Sequence, residues 1–288
     1  MNQPKETFGT TGTLSGQGTT CKYGTEHLCS MFDVNDAALI LIDHQVGLFN
    51  LVRDIDVECL RKNVESLARA AYLADIPVVV TTSKQDSFHG PLIGDLDKIV
   101  PEAFLVQRDG EINAWDCKQF VQTIERLQKK TLIMAGTLTN VCLALPAISA
   151  VFAGYKVYAV IDASGASSKK AAKLSCVRMN HAHVIITDTL AMVSELMGTF
   201  NRKDKEDWWN VFSEVMPRYR LLVENFRCER GESSSFGSRD ERFSRPVQDE
   251  RYGRQDDRLS KDEDIIGGRY GGKDYKETRL AGNRKYGK

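Results

Sequence analysis

Short apolar runs recur through the middle of this 288-residue chain, and each is rich in valine and isoleucine. Runs of this length and composition are typical of strands that are buried on both faces of a parallel sheet. The pattern predicts strands at AALILID (37–43), IPVVVTT (76–82), TLIMAG (131–136), YKVYAVIDA (155–163) and HVIITD (183–188). A shorter apolar run, Phe104–Val106, lies between the second and third of these.

Helical periodicity occupies segments between the apolar runs. In the first of these segments Leu60, Val64 and Leu67 fall on one stripe at helical spacing. The helical patterns are DVECLRKNVESLARAAYLAD (56–75), AWDCKQFVQTIERLQKK (114–130) and SSKKAAKLSCVRMNHA (167–182). Strands that alternate with helices imply right-handed crossovers and a sheet covered on both faces. We therefore expect an α/β fold: a Rossmann-like three-layer sandwich with a central, mostly parallel β-sheet.

Both ends of the chain lack this periodicity. Residues 1–30 are rich in glycine and threonine, and we expect them to form a flexible N-terminal arm. Residues 31–226 hold the predicted strands and helices and form the expected domain. Residues 227–288 mix both signs of charge with glycine, serine and sparse aromatics, a composition that predicts a disordered tail.

The predicted tail carries a loose repeat, Arg-Tyr-Gly at 251–253 and 269–271 and Lys-Tyr-Gly at 285–287. A solvated tail is the simpler interpretation. The alternative is that arginine and tyrosine make stacking contacts with RNA or with other tails. Abundant Asp and Glu in the same segment would repel phosphates, which argues against a nucleic-acid partner and leaves the tail as the segment where RNA contacts are possible.

Charge and cysteine content narrow the functional classes. Lys plus Arg number 39 and Asp plus Glu also number 39, so no net charge attracts an acidic partner to the whole chain. No apolar run is long enough to cross a bilayer, and the N-terminus lacks the basic and apolar regions of a secretory signal. The 7 cysteines include no Cys-x-x-Cys pair. These features predict a cytoplasmic protein with reduced thiols and no membrane partner.

Polar residues of three different kinds follow apolar runs. Asp43 ends the first run, Arg108 follows Phe104–Val106, and Cys142 comes shortly after 131–136. The carboxyl ends of parallel strands meet at one edge of the sheet, where ligands bind. A carboxylate can accept the proton of a thiol, while a cation and a helix N-terminus lower the pKa of that thiol. Backbone N–H groups at the start of a helix can hold an oxyanion.

Each of these residues also has a simpler explanation when it is taken alone. Asp43 would serve as a turn residue, since aspartate is common where a strand ends. Arg108 would form a surface or interface ion pair, and Cys142 would be a small packing residue in an apolar helix. Pro146, four residues after Cys142, is tolerated in a first helical turn and favours a helix start near this cysteine.

Longer motifs decide between these interpretations. LIDHQVGLFNLVRDID, VVVTTSKQDSFHGPLIGDL, INAWD and IMAGTLTNVCLALPAISAVFAGYKVYAVIDASG occur in this order within about residues 31–226. Together they resemble the isochorismatase-like cysteine hydrolase superfamily, and in particular its YcaC-like branch. The resemblance implies a catalytic triad of Asp43, Arg108 and Cys142. It also implies a non-proline cis peptide at Leu138–Thr139. This bond would direct the backbone N–H groups near Thr139 to Cys142 into the site, where they would hold an oxyanion.

Two departures from the wider superfamily bear on the chemistry. Most members have lysine where this chain, like the YcaC-like branch, has Arg108; arginine stays charged, so its role would be electrostatic. Nicotinamidase-type members hold zinc with an Asp-x-His…His cluster. The matching stretch here offers Asp86 and His89 but no second nearby histidine, so we expect no metal and no other cofactor. The residues expected to shape the substrate pocket are Gln45, Phe49, His89, Asn113 and Trp115, although Trp115 would also suit a core.

The resemblance and the triad together predict a cysteine-dependent hydrolase. The expected reaction splits a small amide-like or related carbonyl substrate through a covalent thioester on Cys142. Isochorismate and nicotinamide enter only by family analogy. A different class stays open: a ring-forming homo-oligomer, an octamer by resemblance, that serves as a scaffold for multivalent tails with little or no catalysis. A third alternative is redox sensing at Cys142.

Overall fold

The computed structural model describes residues 31–94 and 96–231. The predicted N-terminal arm, residues 1–30, lies outside the described residues. So does the predicted tail from residue 232 onward.

A six-stranded sheet forms the centre of the described domain. Its strands are β1 (Ala37–Ile42), β2 (Val78–Ser83), β3 (Phe104–Arg108), β4 (Thr131–Gly136), β5 (Lys156–Val160) and β6 (Ile185–Thr187). They lie in the order β3-β2-β1-β4-β5-β6, and each neighbouring pair is parallel. In this doubly wound order the winding reverses between β1 and β4, where such folds bind ligands. The predicted α/β sandwich is confirmed.

Burial explains why the sequence predicts some strands more clearly than others. β1, β2 and β4 are buried at each position, so their sequences are continuous apolar runs. β3 lies at the edge of the sheet and is different: Val106 and Arg108 are buried, while Phe104 and Leu105 are about half exposed. A strand covered on one face leaves only a short apolar signal.

Helices cover both faces of the sheet. They are α1 (Val46–Phe49), α2 (Val57–Leu73), α3 (Leu96–Ile99), α4 (Lys118–Arg126), α5 (Ala144–Phe152), α6 (Lys169–His181), α7 (Thr189–Met197), α8 (Lys205–Val215) and α9 (Pro217–Glu229). One core joins Leu39 and Leu41 of β1 to α2, α7 and α8. The other joins Ile40 and Ile42 of β1 to α4, α5 and α6. Alternate residues of one strand therefore enter opposite cores.

The predicted helices are confirmed, with one shift of boundary. The pattern at 114–130 predicts a single helix, whereas α4 begins only at Lys118. Residues Ala114–Asp116 form a separate 3-10 turn, because the Asn113 side chain accepts a hydrogen bond from the N–H of Trp115 and caps it.

The helical pair α8 and α9 was not predicted from the sequence. Trp208 of α8 is fully buried against α2 and α7, which extends the first core. α9 continues to Glu229, three residues past the predicted domain end at 226, and buries Arg227. No helix within the described part of the chain combines the length and apolar character needed to cross a bilayer.

Candidate active site

Asp43 lies where β1 leaves the sheet, at the point where the strand order reverses. Its backbone has a φ of 56°, in the left-handed region that aspartate tolerates better than most residues. The N–H of Asp43 donates to the carbonyl of Thr81 on β2 at 2.9 Å. This turn directs a nearly fully buried carboxylate across the ends of the strands.

Arg108 reaches that carboxylate from the edge of the sheet. It is the last residue of β3, and its side chain crosses the end of β2 to donate from Nη2 to Oδ1 of Asp43. Its Nε donates to Thr81 Oγ1 at 3.1 Å, and its Nη1 donates to the carbonyl of Glu111. A fully buried guanidinium is thus held by three acceptors, which fixes the orientation of the Asp43 carboxylate.

Sequence reasoning missed Thr81. Its hydroxyl accepts from Arg108 and donates to the carbonyl of Val106 at 2.8 Å, so it links β2 to the arginine of β3. The signal available was a threonine in the otherwise apolar run IPVVVTT. A buried hydroxyl needs a partner, but the sequence does not show which partner a neighbouring strand supplies.

Cys142 lies in a wide turn between β4 and α5. Thr139–Leu143 form this turn with π-type geometry, and the regular helix begins at Ala144. The turn lies directly over the end of β4: a Cβ added to Gly136 would come within 3.1 Å of the Cys142 backbone. Glycine at position 136 therefore permits the close approach that brings Cys142 over the strand.

The pKa of the Cys142 thiol is raised well above its ordinary value. Burial is the largest cause, followed by the charge of Asp43 and a hydrogen bond to its carboxylate. A hydrogen bond from the backbone at Leu138 and the charge of Arg108 act in the opposite direction but are weaker. The sequence-based expectation of a lowered pKa is therefore wrong, because burial and the charge of Asp43 disfavour the thiolate more than the charge of Arg108 favours it.

The cis peptide lies one residue earlier than predicted. It joins Thr137 to Leu138, not Leu138 to Thr139. Thr137 still continues the sheet, since its N–H donates to the carbonyl of Ile42 at 3.1 Å. The N–H of Thr139 instead donates to the carbonyl of Gly165 at 2.8 Å.

The backbone N–H groups proposed for the oxyanion are partly occupied. The N–H of Thr139 donates to Gly165, and the N–H groups of Val141 and Cys142 donate to the carbonyl of Leu138 at 3.0 and 2.8 Å. The N–H of Asn140 has no acceptor among the described residues. The N–H of Leu138 likewise has no acceptor among those residues, so within the segment the N–H groups of Leu138 and Asn140 are available to a ligand.

Gln45 and His89 hold the loop that follows β2. The amide of Gln45 accepts from the N–H of Ser83 at 3.0 Å and donates to the carbonyls of Ser83 and Gly90 at 3.1 and 2.6 Å. His89 Nδ1 lies 2.9 Å from the carbonyl of Ser83. Gln45 is fully buried, so its polar atoms are used within the fold. A contact between either residue and substrate stays a prediction.

Phe49, Asn113 and Trp115, the other expected pocket residues, have three different environments. Phe49 is almost fully buried in the first core, with its ring centroid 6.2 Å from that of His44. Asn113 donates to the hydroxyl of Ser149 on α5 at 3.1 Å. Trp115 packs edge-on against Phe120 and Tyr155, at 6.0 and 5.8 Å, and so contributes to the second core. Their role as pocket residues stays a prediction.

Histidine, cysteine and acidic side chains do not gather into a metal-binding cluster anywhere in residues 31–94 and 96–231. His89 is turned toward the carbonyl of Ser83.

Known proteins match this chain in sequence. The family model of the isochorismatase domain matches residues 37–190. Probable hydrolase YcaC from Escherichia coli (strain K12) is 37% identical over 194 residues, which cover 67% of this chain and 93% of that protein.

Two solved structures extend the match to the fold. YcaC from Pseudomonas aeruginosa, with hexane-2,5-diol and covalent acrylamide, has a TM-score of 0.67 and 36% identity, covering 69% of this chain and 98% of that one. The YcaC gene product from Escherichia coli, described as an octameric hydrolase of unknown specificity, has a TM-score of 0.67 and 37% identity. That match covers 69% of this chain and 97% of the other.

Proposed function

Since this chain belongs to the isochorismatase family of hydrolases, on its YcaC-like branch, we propose that it hydrolyses a small amide-like or related carbonyl compound through a covalent thioester on Cys142. One observation carries the proposal. The buried Asp43 carboxylate is bound by Arg108 and interacts with the Cys142 thiol. A base, a fixed cation and a nucleophile are the groups that acyl transfer to a thiol requires.

The reaction begins from a neutral thiol. Burial and the neighbouring carboxylate raise the pKa of Cys142, so a thiolate does not accumulate before substrate binds. Asp43 accepts the proton as the sulfur attacks the carbonyl carbon, and proton transfer and bond formation are therefore coupled. The N–H of Leu138 or that of Asn140, neither of which has an acceptor among the described residues, donates to the oxyanion that forms on the carbonyl oxygen.

Asp43 then returns the proton to the departing amine, and the C–N bond breaks to leave a thioester on Cys142. A water molecule attacks the thioester and gives its proton to Asp43. The acid leaves, and the proton returns to the thiolate of Cys142. Arg108 stays protonated throughout and acts by charge and by orienting Asp43, since a guanidinium does not exchange its proton near neutral pH.

A relative offers a probe for the proposed nucleophile. The Pseudomonas aeruginosa protein has been seen with covalent acrylamide. Thiols add to the double bond of acrylamide and leave its amide intact, so this compound tests nucleophilicity and not hydrolysis. For this chain, acrylamide is a reagent for Cys142 that complements a panel of small amides.

Removal of the proposed base gives a test with two opposite readouts. Asp43→Asn is expected to lower turnover of a small-amide panel by about 10²-fold or more, because the thiol proton then has no acceptor. The same change removes a negative charge that raises the pKa of Cys142, so alkylation of Cys142 by iodoacetamide near neutral pH is expected to become faster. Residue-resolved mass spectrometry measures the alkylation.

Cys142→Ala and Cys176→Ala serve as the paired controls. Cys176 lies on α6 and is also partly buried, so its removal is expected to leave turnover unchanged, whereas Cys142→Ala abolishes it. Turnover that survives in both Asp43→Asn and Cys142→Ala would contradict the mechanism. A wild-type chain that splits none of the panel and keeps an inert Cys142 would favour the scaffold alternative, and reversible oxidation without product would favour redox sensing.

A further inference from the structure

His44 follows the proposed base directly and is fully buried. Its Nε2 lies 3.0 Å from the carbonyl oxygen of Ala163, in the loop after β5. A carbonyl only accepts hydrogen bonds, so Nε2 carries the proton and donates it. The ring thus passes from the end of β1 across β4 to the neighbourhood of β5, which links three strands at the edge that holds the site.

His44 does not have the surroundings of a proton carrier. Burial lowers its pKa to about 4, so near neutral pH it holds a single proton, the one on Nε2. Its Nδ1 is enclosed and has no hydrogen-bond partner among the described residues. Both ring nitrogens are therefore unavailable for transfer to substrate, and a different explanation is needed for a buried histidine beside the base.

The loop that His44 binds also holds the turn that carries the nucleophile. The carbonyl of Gly165 accepts from the N–H of Thr139 at 2.8 Å, and the carbonyl of Ser164 accepts from the Thr139 hydroxyl. The Ser164 hydroxyl accepts from the N–H of Gly136 at 3.0 Å and donates to the carbonyl of Val160 at 2.7 Å. Residues 163–165 therefore connect β4, β5 and the Thr139–Leu143 turn.

These contacts connect Asp43 to Cys142 through His44 and the 163–165 loop. His44 follows Asp43 in the chain and donates to the Ala163 carbonyl. The loop binds the N–H of Thr139, and the Thr139–Leu143 turn carries Cys142, whose thiol interacts with Asp43. We infer that His44 is a positioning residue, which sets the placement of the Cys142 thiol relative to Asp43 by anchoring the 163–165 loop. The inference rests on the proposed function, whose base and nucleophile it aligns.

The loop has anchors other than His44, so variants at His44 are expected to fold. The N–H of Ala166 donates to Asp54 Oδ1 at 2.7 Å, and the carbonyl of Ala166 accepts from the N–H of Arg53 at 2.8 Å. A Cβ added to Gly165 would come within 2.5 Å of Val52, which shows how closely this end of the loop packs. Loss of the His44 bond therefore releases the Ala163 carbonyl, while Ser164, Ala166 and the Asp162 carboxylate keep their own hydrogen bonds.

Two substitutions at His44, to glutamine and to asparagine, distinguish a positioning role of the side chain from a role in packing alone. The amide nitrogen of His44→Gln reaches about as far as Nε2 and can donate to the Ala163 carbonyl, whereas that of His44→Asn is one carbon short. The readouts, on the full chain, are the pH profile of Cys142 alkylation, with Cys176 in the same spectra as internal control, and kcat against KM on the amide panel.

The expected results differ between the two variants. His44→Gln keeps the wild-type profile. In His44→Asn the apparent pKa of Cys142 falls toward that of an ordinary thiol by about one pH unit, because the thiol moves away from the Asp43 charge and toward solvent. kcat falls about tenfold or more with little change in KM, as expected for misplaced reacting groups. A purely structural role would lower Tm and leave the Cys142 profile in place.

A second variant acts at the other end of the loop. Thr139→Val removes the hydroxyl that donates to the Ser164 carbonyl and nearly preserves the shape of the side chain. It is expected to lower the apparent pKa of Cys142 as His44→Asn does. If His44→Asn fails to fold, Thr139→Val provides the test. A wild-type profile in His44→Asn, or in Thr139→Val, overturns the inference. If Asp43→Asn behaves as proposed and the His44 variants do not, only the inference fails; if Asp43→Asn leaves turnover intact, the proposed mechanism fails instead.

Discussion

At the scale of single residues, the site is governed by which charges are buried together. Asp43 and Arg108 neutralise each other in a nearly solvent-free contact, and the Cys142 thiol beside them keeps its proton because burial outweighs the arginine. Cysteine enzymes are often described through a stabilised thiolate. In the proposed mechanism the thiol is instead deprotonated only as it reacts, so the carboxylate would matter more than the cation for the first step.

The lowered pKa of His44 predicts how the free energy of unfolding changes at low pH. In the unfolded chain it binds a proton with the ordinary pKa near 6.5, while in the folded chain it stays neutral until pH about 4. Acid therefore favours the unfolded state in this window, and stability is expected to fall by about 3 kcal/mol as pH drops from 6.5 to 4. His44→Gln, which does not titrate, is expected to lose about that much less. Urea unfolding at several pH values measures the difference.

His181 provides the control for this measurement. It lies exposed at the end of α6, so His181→Gln is expected to retain the acid sensitivity of the wild type. If the wild type and His44→Gln lose stability in parallel between pH 6.5 and 4, the account of a buried neutral His44 is wrong.

At the scale of elements, the C-terminal helices complete a core that the sheet alone leaves open. Trp208 of α8 is fully buried and donates from Nε1 to Asp204 Oδ2 at 3.2 Å. The Asp204 carboxylate also accepts hydrogen bonds from Nε and Nη2 of Arg202. The Arg202 guanidinium lies over the Trp208 ring. The indole therefore has both the apolar contacts and the polar partner that a buried tryptophan needs.

The adjacent tryptophans give a matched pair of variants. Trp208→Ala is expected to lower the free energy of unfolding by about 3–5 kcal/mol, because it opens a cavity in the first core. Trp209 is only partly buried, beside Phe226 and Arg227, so Trp209→Ala is expected to cost less than half as much. Chemical denaturation of both variants measures this, and equal losses would show that α8 does not pack as described.

At the scale of the whole molecule, large apolar side chains remain on the surface. Phe88 is 85% exposed, Phe152 is 84% exposed and Ile112 is 69% exposed in the single chain. Exposed groups of this size are common where a surface is covered by a partner. The related Escherichia coli protein is described as an octameric hydrolase. From the exposed side chains of this chain itself, we propose that it forms a homo-oligomer.

Light scattering after size-exclusion chromatography tests the assembly. The full chain is expected to elute as a homo-oligomer, and a chain truncated after residue 231 is expected to keep the same number of subunits, since the exposed apolar residues belong to the described domain. Phe152→Asp, which places a charge on the surface of α5, is expected to weaken assembly, with Lys118→Asp on α4 as the matched control. A monomeric full chain would contradict the proposal.

Several features of this protein follow from its sequence alone. The apolar runs predict the strands of the sheet because residues such as those of β1 and β4 are buried on both faces, and burial leaves a local signal. Helical stripes predict α2, α4 and α6 for the same reason. The motifs around Asp43, Arg108 and Cys142 indicate the family, since they occur in order and with the expected spacing.

Other features depend on residues that are far apart in the chain. Two of these features are contacts between separate strands, that of Thr81 with Arg108 and that of His44 with Ala163. A third is the raised pKa of Cys142, which depends on burial and on Asp43. No local sequence pattern predicts any of the three. α8 was not predicted, and its core partner α2 lies more than a hundred residues earlier in the chain. Periodicity shows that a residue is buried; only the tertiary structure decides which charges and hydrogen-bond partners are buried with it, and those set the chemistry.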